Sequence, residues 1–258
     1  MLGAIAGDII GSRFEWHNIK TKDFELFSPQ SRFTDDTVLT IALADSLLSH
    51  VPCPIKLKEY FRRYPKAGYG GRFLQWAGDS DMEPYNSFGN GSAMRVSPVG
   101  WYFNDLSTVL REAANSASVT HNHPEGIKGA QATAAAIFLA RTGQSKGDIR
   151  DFLVEQFAYD FDWKLEDIRP YYTFDVTCQG SVPQALQAFF EGTDFEDSIR
   201  NAISIGGDSD TIACITGGVA EAFYGEVPPE IRNEVFARLD ESLSAMARQF
   251  MKAVGRAI

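Results

Sequence analysis

Cysteine and histidine are scarce in this 258-residue sequence. It has three cysteines, Cys53, Cys178 and Cys214, which lie far apart, and four histidines in total. A zinc knuckle needs Cys or His ligands at close, paired spacing, and a disulfide framework needs paired cysteines. The spacing therefore speaks against both, and we expect reduced thiols in the core.

Clustered positive charge is also lacking. The chain has 24 Lys and Arg against 34 Asp and Glu, a formal net charge of −10, and its only short basic cluster is Arg62–Arg63. Nucleic-acid backbones and anionic membrane surfaces are bound by clustered Lys and Arg. We therefore expect no extended nucleic-acid surface. An anionic ligand of this protein has to be held by backbone N–H groups or by a bound cation.

Long hydrophobic runs are absent as well. No stretch is as long and as apolar as a membrane helix, and the opening MLGAIAGDIIGSRFEW includes Asp8 and lacks the basic start of a signal peptide. We expect a cytoplasmic protein without a membrane partner. The hydrophobic content of 44%, with 12% aromatics, predicts a substantial buried core. We also expect a monomer.

Helical periodicity, by contrast, runs through the whole chain, and strand-like alternation never persists. Helices are predicted at 1–11, 36–50, 55–64, 91–103, 106–119, 125–142, 147–158, 181–191, 195–205, 210–224, 229–238 and 240–256. Pro183 is expected in the first turn of its helix, after a capping Ser181. Because no repeat, low-complexity tract or long linker interrupts the pattern, we predict one all-α domain over residues 1–258.

Two of the predicted helices open on a concentration of carboxylates. FTDDTVLTIALADSLL, residues 33–48, and GGDSDTIACITGGVAEAF, residues 206–223, each place two aspartates and a threonine just ahead of an apolar helix. For one such stretch, a helix cap with acidic residues in the first turn is a sufficient explanation. Two of them suggest a shared pocket, in which each pair of carboxylates about 4 Å apart repels by roughly 4 kcal/mol at an effective dielectric constant of about 20.

Repulsion of this size has to be relieved by a cation or by protonation. The available ligands are all oxygen atoms, which favours Mg²⁺, Mn²⁺ or Ca²⁺ over Zn²⁺. The candidate metal ligands are the threonines and aspartates of the two openings: Thr34, Asp35, Asp36, Asp208, Asp210 and Thr211. They are enough for two ions, and our hypothesis is a binuclear Mg²⁺ or Mn²⁺ site.

A glycine-rich loop offers a second kind of anion contact. In NSFGNGSAMRVSPVGW, residues 86–101, small residues lead into a helix, so that consecutive amides could turn toward a phosphate or diphosphate. The candidates are Ser87, Gly89, Asn90 and Gly91, and Phe88 could stack on a base. A plain turn with a packed phenylalanine is the alternative explanation of the same residues.

Three further polar residues are candidates for the site. Glu15 lies between Phe14 and Trp16, where partial burial would raise its pKa and suit acid–base work; a surface glutamate is the alternative. His121, in SVTHNHPEGIKGA, could donate to a substrate hydroxyl or to a metal-bound carboxylate, or be an ordinary loop histidine. Asp8 is expected to be buried in a supporting role, with a partner such as a backbone amide or the metal shell.

The motifs GDIIGSRFEW, FTDDT, SFGNGSAMR, THNHPEGIKGA and GGDSDT, in this order, resemble the ADP-ribosylglycohydrolase family, which includes the dinitrogenase reductase-activating glycohydrolase. The resemblance spans about residues 3–225. It implies an orthogonal all-α bundle in which the aspartates and threonines of the two openings hold two Mg²⁺ or Mn²⁺ ions. It also implies that residues 87–90 hold the diphosphate and adenosine, and that His121 lines the ribose pocket.

The same resemblance implies an activity: a metal-dependent hydrolase that cleaves the glycosidic bond between ADP-ribose and a protein or small-molecule acceptor, releasing ADP-ribose. Glu15 falls where serine-specific members carry a mobile catalytic glutamate, and Asp36 and Asp210 complete the expected catalytic set. The arginine-type arrangement, with an aspartate on another loop, has no counterpart in AGYGGRFLQW before Asp79. Two other functions stay open: a catalytically silent ADP-ribose-binding protein, and a metal-dependent nucleotide phosphohydrolase.

Overall fold

The computed structural model describes residues 1–79 and 83–256. Within these ranges it contains fifteen helices: α1 (Leu2–Gly11), α2 (Asp35–Ser49), α3 (Cys53–Arg63), α4 (Gly71–Gly78), α5 (Gly91–Met94), α6 (Ser97–Tyr102), α7 (Leu106–Ser118), α8 (Pro124–Arg141), α9 (Lys146–Phe157), α10 (Leu165–Ile168), α11 (Cys178–Glu191), α12 (Phe195–Ser204), α13 (Ser209–Tyr224), α14 (Pro229–Arg238) and α15 (Glu241–Ala253). The described part of the chain has no strand, and its one extended pairing is an isolated bridge between Gly89 and Thr177. The predicted all-α fold is confirmed.

Helix α13 lies at the centre of the molecule. Its apolar residues surround the helix axis, and every residue from Ser209 to Ala222 is buried, as expected for a helix that is hydrophobic on all sides. It packs against α1, α8, α11 and α12. The large core cluster around it includes residues from both ends of the chain, from Met1 to Met251.

Glycines bring α1 and α13 into backbone contact. A Cβ atom on Gly7 would lie 2.0 Å from the carbonyl oxygen of Ala213, and one on Gly11 would lie 2.6 Å from Cα of Asp210. Because only glycine lacks this atom, only glycine permits the approach. The packing of α1 therefore places Asp8 beside the acidic start of α13.

Helix α2 crosses the same region. It contacts α1 and α13 as well as α3, α6 and α15, and its residues from Asp36 to Ser46 are buried. Thr34 is the N-cap, since its side chain accepts a hydrogen bond from the backbone N–H of Asp36 and so satisfies one amide of the first turn. The starts of α2 and α13 therefore meet near the end of α1.

The structure differs from the predicted helices at residues 91–103. Two short helices, α5 and α6, replace one continuous helix, because Pro98 has no N–H to donate to the carbonyl group of Met94. That carbonyl instead accepts hydrogen bonds from the hydroxyl of Thr40 and the thiol of Cys214. The break thus ties the end of α5 to α2 and α13.

Helix α11 also begins at a different residue from the predicted one. It starts at Cys178, where the side chain of Thr177 accepts a hydrogen bond from the N–H of Gly180. Ser181 is therefore not the cap; its hydroxyl donates to the carbonyl of Thr177. Pro183 lies inside the helix rather than in its first turn.

Short helices account for the other differences. Helices α4 and α10, with 8 and 4 residues, are absent from the predicted set because so few residues show no periodicity. None of the helices in the described ranges is long and apolar enough to cross a bilayer. The three cysteines are unpaired, and two of them, Cys178 and Cys214, are buried.

Candidate active site

A cleft of about 510 Å³ opens where the starts of α2 and α13 meet. Its walls come from the turn after α1, the start of α2, residues 68–73, the loop before α5, and residues 174–176. The lining includes most of the predicted site residues: Glu15, Asp35, Asp36, Ser87, Gly89, Asn90, Gly91, His121, Asp208, Asp210 and Thr211. The predicted residues outside the lining are Asp8 and Thr34, which are buried, and Phe88, which is exposed.

The two acidic helix starts lie side by side, as expected from their sequences. The hydroxyl of Thr211 donates to Oδ2 of Asp36 over 3.2 Å. Two clusters of three carboxylates result, each with oxygen atoms within 4.8 Å of one another: Asp8, Asp36 and Asp210, and Glu15, Asp208 and Asp210. Since Asp210 belongs to both clusters, it lies between them.

Asp8 supports the start of α2. Its carboxylate accepts hydrogen bonds from the N–H groups of Thr34 and Thr37, over 2.9 and 3.1 Å, and from both threonine hydroxyls. A carboxylate has about four lone-pair sites, so these four donors satisfy it. Asp8 is also fully buried. The expected supporting role of Asp8, with backbone amides as partners, agrees with this arrangement.

Asp36 differs from Asp8 because one of its oxygens is free. Its side chain is buried, and Oδ1 has no hydrogen-bond partner. Such an oxygen is costly to bury unless a proton or a cation satisfies it. Together with the all-oxygen donor set of both clusters, this atom fits a hard divalent cation.

The electrostatics of the clusters point in the same direction. Burial raises the pKa of Asp36 and Asp210 well above the usual range, and repulsion from neighbouring carboxylates adds to the effect. The pKa of Asp35 is raised by the same causes. Burial raises the pKa of Asp208 to about 6, although the side-chain amide of Asn90 favours its charged form. Without a cation, the clusters therefore retain protons up to near-neutral pH.

Glu15 enters the cleft from the turn that follows α1. Its side chain is partly buried, and burial raises its pKa to about 7, with added repulsion from Asp210 and an opposing attraction to Arg32. A carboxyl group that titrates near neutral pH suits proton transfer. Because Glu15 lines the cleft and shares a cluster with Asp208 and Asp210, it is not an ordinary surface glutamate.

The glycine-rich loop is held by hydrogen bonds of its own backbone. The N–H of Asn90 donates to the carbonyl of Val176 over 2.8 Å, and the N–H of Gly89 donates to the hydroxyl of Ser87 over 3.1 Å. These two amides are thus engaged within the protein instead of facing the cleft. In the short helix α5, the N–H groups of Ala93 and Met94 donate to the carbonyl of Asn90, so those of Gly91 and Ser92 are the ones without a partner in the helix.

The side chain of Asn90 connects this loop to the second carboxylate cluster. Its Nδ2 donates to Oδ2 of Asp208 over 2.7 Å and to the hydroxyl of Ser181 over 3.1 Å. The side chain is buried, so these bonds are shielded from water. Besides its predicted contact with a ligand, Asn90 therefore orients Asp208.

His121 lies between the glycine-rich loop and a buried arginine. Its Nδ1 is 2.7 Å from the hydroxyl of Thr120, which also accepts a hydrogen bond from Nη2 of Arg95 over 2.8 Å. Burial and the charge of Arg95 lower the pKa of His121 well below its usual value, so the ring is neutral. A Cβ atom on Gly91 would lie 3.1 Å from Nε2, which shows how closely the ring approaches the loop.

Aromatic side chains form the rim of the cleft. Trp16 and Phe174 line it and stack with ring centroids 5.1 Å apart, although 70% and 41% of their surfaces are exposed. Phe88 lies edge to face against His123, with centroids 5.3 Å apart. Any stacking of a base on Phe88 would therefore take place at the outer edge of the cleft.

Some residues that line or support the cleft are missing from the predicted set: Asn18, Tyr69, Arg72, Arg95 and Phe174. A signal existed for the segment around Tyr69, because glycines cluster where backbones approach closely. Gly68 has φ +113°, and a Cβ atom on it would lie 3.2 Å from Oδ1 of Asp35. Asn18 and Arg95 leave no such pattern, since their partners are distant in sequence.

Comparison with known proteins identifies the class to which this fold and cleft belong. The model of the ADP-ribosylglycohydrolase family matches residues 1–257, and the chain belongs to that family. The resemblance that the five motifs indicate is thereby confirmed. Family membership supports ADP-ribosyl hydrolysis as the class of activity.

Individual relatives are distant but extend over most of the chain. The ADP-ribosylhydrolase ARH3 of Homo sapiens is 25% identical over 337 residues, covering 98% of this chain and 93% of its own. The ADP-ribosylarginine hydrolase Tri1 of Pseudomonas putida (strain GB-1) is 24% identical, covering 89% of this chain and 71% of its own. A solved ADP-ribosylglycohydrolase-related protein complex matches with a TM-score of 0.72 at 25% identity, covering 98% of this chain and 97% of that one. The fold is therefore the helical bundle of this family.

Proposed function

We propose that the protein is a metal-dependent hydrolase that cleaves the glycosidic bond between ADP-ribose and an acceptor. The observation that carries the proposal is the position of Asp210, which is shared by two carboxylate clusters in a cleft that also contains Glu15. Family membership supports ADP-ribose as the group that is released. Water would supply a hydroxyl group to the ribose carbon and a proton to the acceptor atom.

The residues proposed to hold two Mg²⁺ or Mn²⁺ ions are those of the two acidic helix starts: Thr34, Asp35, Asp36, Asp208, Asp210 and Thr211. When bound, such ions supply Lewis-acid assistance to the oxygens of ribose and water. The free Oδ1 of Asp36 supports this assignment. Asp8 would orient Thr34 from behind, because the hydroxyl of Thr34 donates its proton to Asp8 over 2.6 Å. The lone pair that does not accept the N–H of Asp36 is then left for an ion.

Glu15 is the residue proposed to transfer the proton. In the metal-free protein, burial raises its pKa to about 7, which brings the carboxyl group close to the pH range in which it can both give and take a proton. The same carboxyl group can then protonate the leaving acceptor atom or take a proton from the attacking water. Positive charge develops at the ribose ring as the bond breaks, and the surrounding carboxylates stabilise it.

The ADP-ribose half is proposed to bind along the glycine-rich loop, in contact with Ser87, Phe88, Gly89, Asn90, Gly91 and His121. In a chain of net charge −10, the neutral ring of His121 and the backbone N–H groups of Gly91 and Ser92 are contacts that do not repel a diphosphate. We also propose that the protein acts as a monomer.

The test uses protein that is stripped of metal and then reloaded with Mg²⁺. It is incubated with acceptors ADP-ribosylated at arginine, at serine, at a nucleic-acid end or on a small molecule, and the products are identified by mass spectrometry. Release of ADP-ribose with the unmodified acceptor is the expected result, and the panel reveals the acceptor. Release of AMP or inorganic phosphate would identify a phosphohydrolase instead. Calorimetric binding of ADP-ribose without release from any acceptor would identify a silent binding protein.

A further inference from the structure

The side chain of Asn18 joins the turn that carries Glu15 to the turn that leads into Asp208. Its Nδ2 donates to the carbonyls of Phe14, Glu15 and Gly207, over 2.7, 3.0 and 2.9 Å. Its Oδ1 accepts a hydrogen bond from the N–H of Gly207 over 2.8 Å. Both amide hydrogens and the amide oxygen are therefore used in a bridge between two backbone segments 189 residues apart.

The backbone on the far side of this bridge is shaped to receive Asn18. Gly206 and Gly207 have φ values of +71° and +78°, in the region that only glycine adopts without strain. A Cβ atom on Gly206 would lie 3.1 Å from Oδ1 of Asn18, and one on Gly207 would lie 2.3 Å from the ring of Tyr172. Two glycines are thus needed at this turn for Gly207 to present its N–H and its carbonyl to the same side chain.

The bridge acts against a repulsion. The carboxylate of Glu15 lies within 4.8 Å of those of Asp208 and Asp210, and carboxylates at this distance push the two turns apart when they are ionised. The aromatic contacts of the Glu15 turn, Phe14 on Phe24 and Trp16 on Phe174, do not reach Gly207. The bonds that connect the two turns directly are those of Asn18.

We propose that Asn18 is a positioning residue that fixes the carboxyl group of Glu15 relative to Asp208 and Asp210. The inference rests on the proposed function, in which Glu15 transfers the proton. Proton transfer requires a heavy-atom distance near that of a hydrogen bond. Loss of the bridge would leave the protein folded but would let Glu15 leave the geometry in which it acts.

A different explanation is that Asn18 only stabilises the Gly206–Gly207 turn. Lys20 provides the control, because its Nζ donates to the carbonyls of Ile205 and Tyr172 on the same side of that turn. No hydrogen bond of the Lys20 side chain goes to the turn of Glu15. Lys20→Met therefore weakens the Gly206–Gly207 turn without releasing Glu15.

The first test measures amide hydrogen exchange in Asn18→Ala, Lys20→Met and the unaltered protein, and it needs no substrate. Asn18→Ala should accelerate exchange about tenfold at the amide of Gly207 and across residues 12–18, because both ends of the bridge are released. Lys20→Met should leave residues 12–18 unchanged. Unchanged exchange across residues 12–18 in Asn18→Ala would overturn the proposal.

The second test is a double-mutant cycle on kcat with Asn18→Ala and Glu15→Gln. Asn18→Ala alone should lower kcat about tenfold to a hundredfold while leaving the affinity for ADP-ribose unchanged. In the Glu15→Gln background it should have no further effect beyond about twofold, because the group that it positions is already lost. Multiplicative losses, or an equal loss in Lys20→Met, would overturn the proposal.

The two tests separate this proposal from the proposed function. If the unaltered protein releases no ADP-ribose from any acceptor, the proposed function is wrong. The exchange experiment then still decides whether Asn18 holds the Glu15 turn. If ADP-ribose is released but the cycle is additive, the function stands and Asn18 is only a structural residue.

Discussion

The two acidic helix starts have similar sequences, TDDT at residues 34–37 and DSDT at residues 208–211, but the protein holds them in different ways. The start of α2 has a side-chain cap, and buried Asp8 accepts four hydrogen bonds from it. The start of α13 has no side-chain cap. The turn before it is held by the exposed side chains of Asn18 and Lys20.

The difference shows that two copies of a similar motif can contribute differently to one site. The α2 side is fixed by hydrogen bonds inside the core, so its geometry follows from the fold itself. On the other side the helix α13 is equally buried, but the turn that leads into it depends on loop side chains. That turn is also the one connected to Glu15, so the part of the site that depends on exposed loop side chains is the part that carries the proposed proton transfer.

The largest expected effect is on turnover. Asp210→Ala removes the carboxylate that both clusters share, and we expect the rate of ADP-ribose release to fall by about a thousandfold or more. Asp36→Ala should also abolish turnover. Both variants should keep the helical circular dichroism spectrum and melt no lower than the unaltered protein when metal is absent, because each loses a repelled carboxylate. Full activity in either variant would refute the proposed mechanism.

A second prediction concerns the contact that brings the two starts together. Gly7→Ala would place a Cβ atom 2.0 Å from the backbone of α13, and we expect the free energy of unfolding to fall by about 3 kcal/mol or more. Chemical denaturation measures the change. Gly147→Ala is the matched control: its Cβ atom would make an ordinary contact at 3.6 Å, so the same substitution within α9 should stabilise the protein slightly. Equal effects would mean that the α1–α13 contact is not tight.

Metal and pH test the electrostatics of the joined starts. When folding raises the pKa of a carboxyl group, the group stabilises the protein at pH values below its pKa in the unfolded chain. This stabilisation is lost as the pH rises through its pKa in the folded protein. The pKa of Asp208 in the folded protein is about 6. Between pH 4 and pH 7, the free energy of unfolding of the metal-free protein should therefore fall by on the order of 2 kcal/mol more than that of Asp208→Asn, as measured by denaturation at each pH. At pH 7.5, Mg²⁺ at about a hundredfold excess over its dissociation constant should raise the free energy of unfolding by about 3 kcal/mol.

Two results of these stability measurements would contradict the predictions. If the unaltered protein and Asp208→Asn show the same pH dependence, the side chain of Asp208 is not buried in solution as it is in the structure. If millimolar Mg²⁺ produces no stabilisation at pH 7.5, the oxygen clusters do not bind the ion and the metal proposal fails.

The smallest expected effects compare the two kinds of support directly. Thr37→Val removes a buried hydroxyl that donates to Asp8, and we expect a loss of about 2 kcal/mol in the free energy of unfolding. Lys20→Met removes two bonds from an exposed side chain, and we expect less than about 1 kcal/mol. Urea denaturation of both variants measures the values. A larger loss in Lys20→Met would reverse the comparison between the two sides.

The sequence was sufficient for the all-α fold, for most of the longer helices and for the meeting of the two acidic starts. Helical periodicity marks any segment with a continuous apolar face, so α2, α8 and α13 are recognisable without knowing their neighbours. Carboxylates before two separate apolar helices predict that the two helix starts meet, because a shared cation would explain why both starts are acidic. Both inferences depend on side-chain chemistry that can be read locally.

Backbone partners could not be predicted in the same way. The backbone N–H of Asn90 donates to the carbonyl of Val176, and that of Gly207 donates to the side chain of Asn18. Both bonds depend on how loops far apart in sequence come together. The break at Pro98 illustrates the same limit, since the freed carbonyl of Met94 is satisfied by α2 and α13 rather than by its own helix. Tertiary contacts therefore decide which amides face the cleft.

The backbone contact between α1 and α13 has a consequence for how the sequence of α1 can vary. Gly7 and Asp8 are adjacent, one packing against Ala213 and the other bonded to Thr34 and Thr37. Deleting a single residue ahead of Gly7 would rotate the later residues of α1 by about 100° relative to the earlier ones, turning Gly7 and Asp8 away from their partners at once. Insertions and deletions should therefore be excluded from this decapeptide, while exposed loops away from the cleft tolerate changes of length.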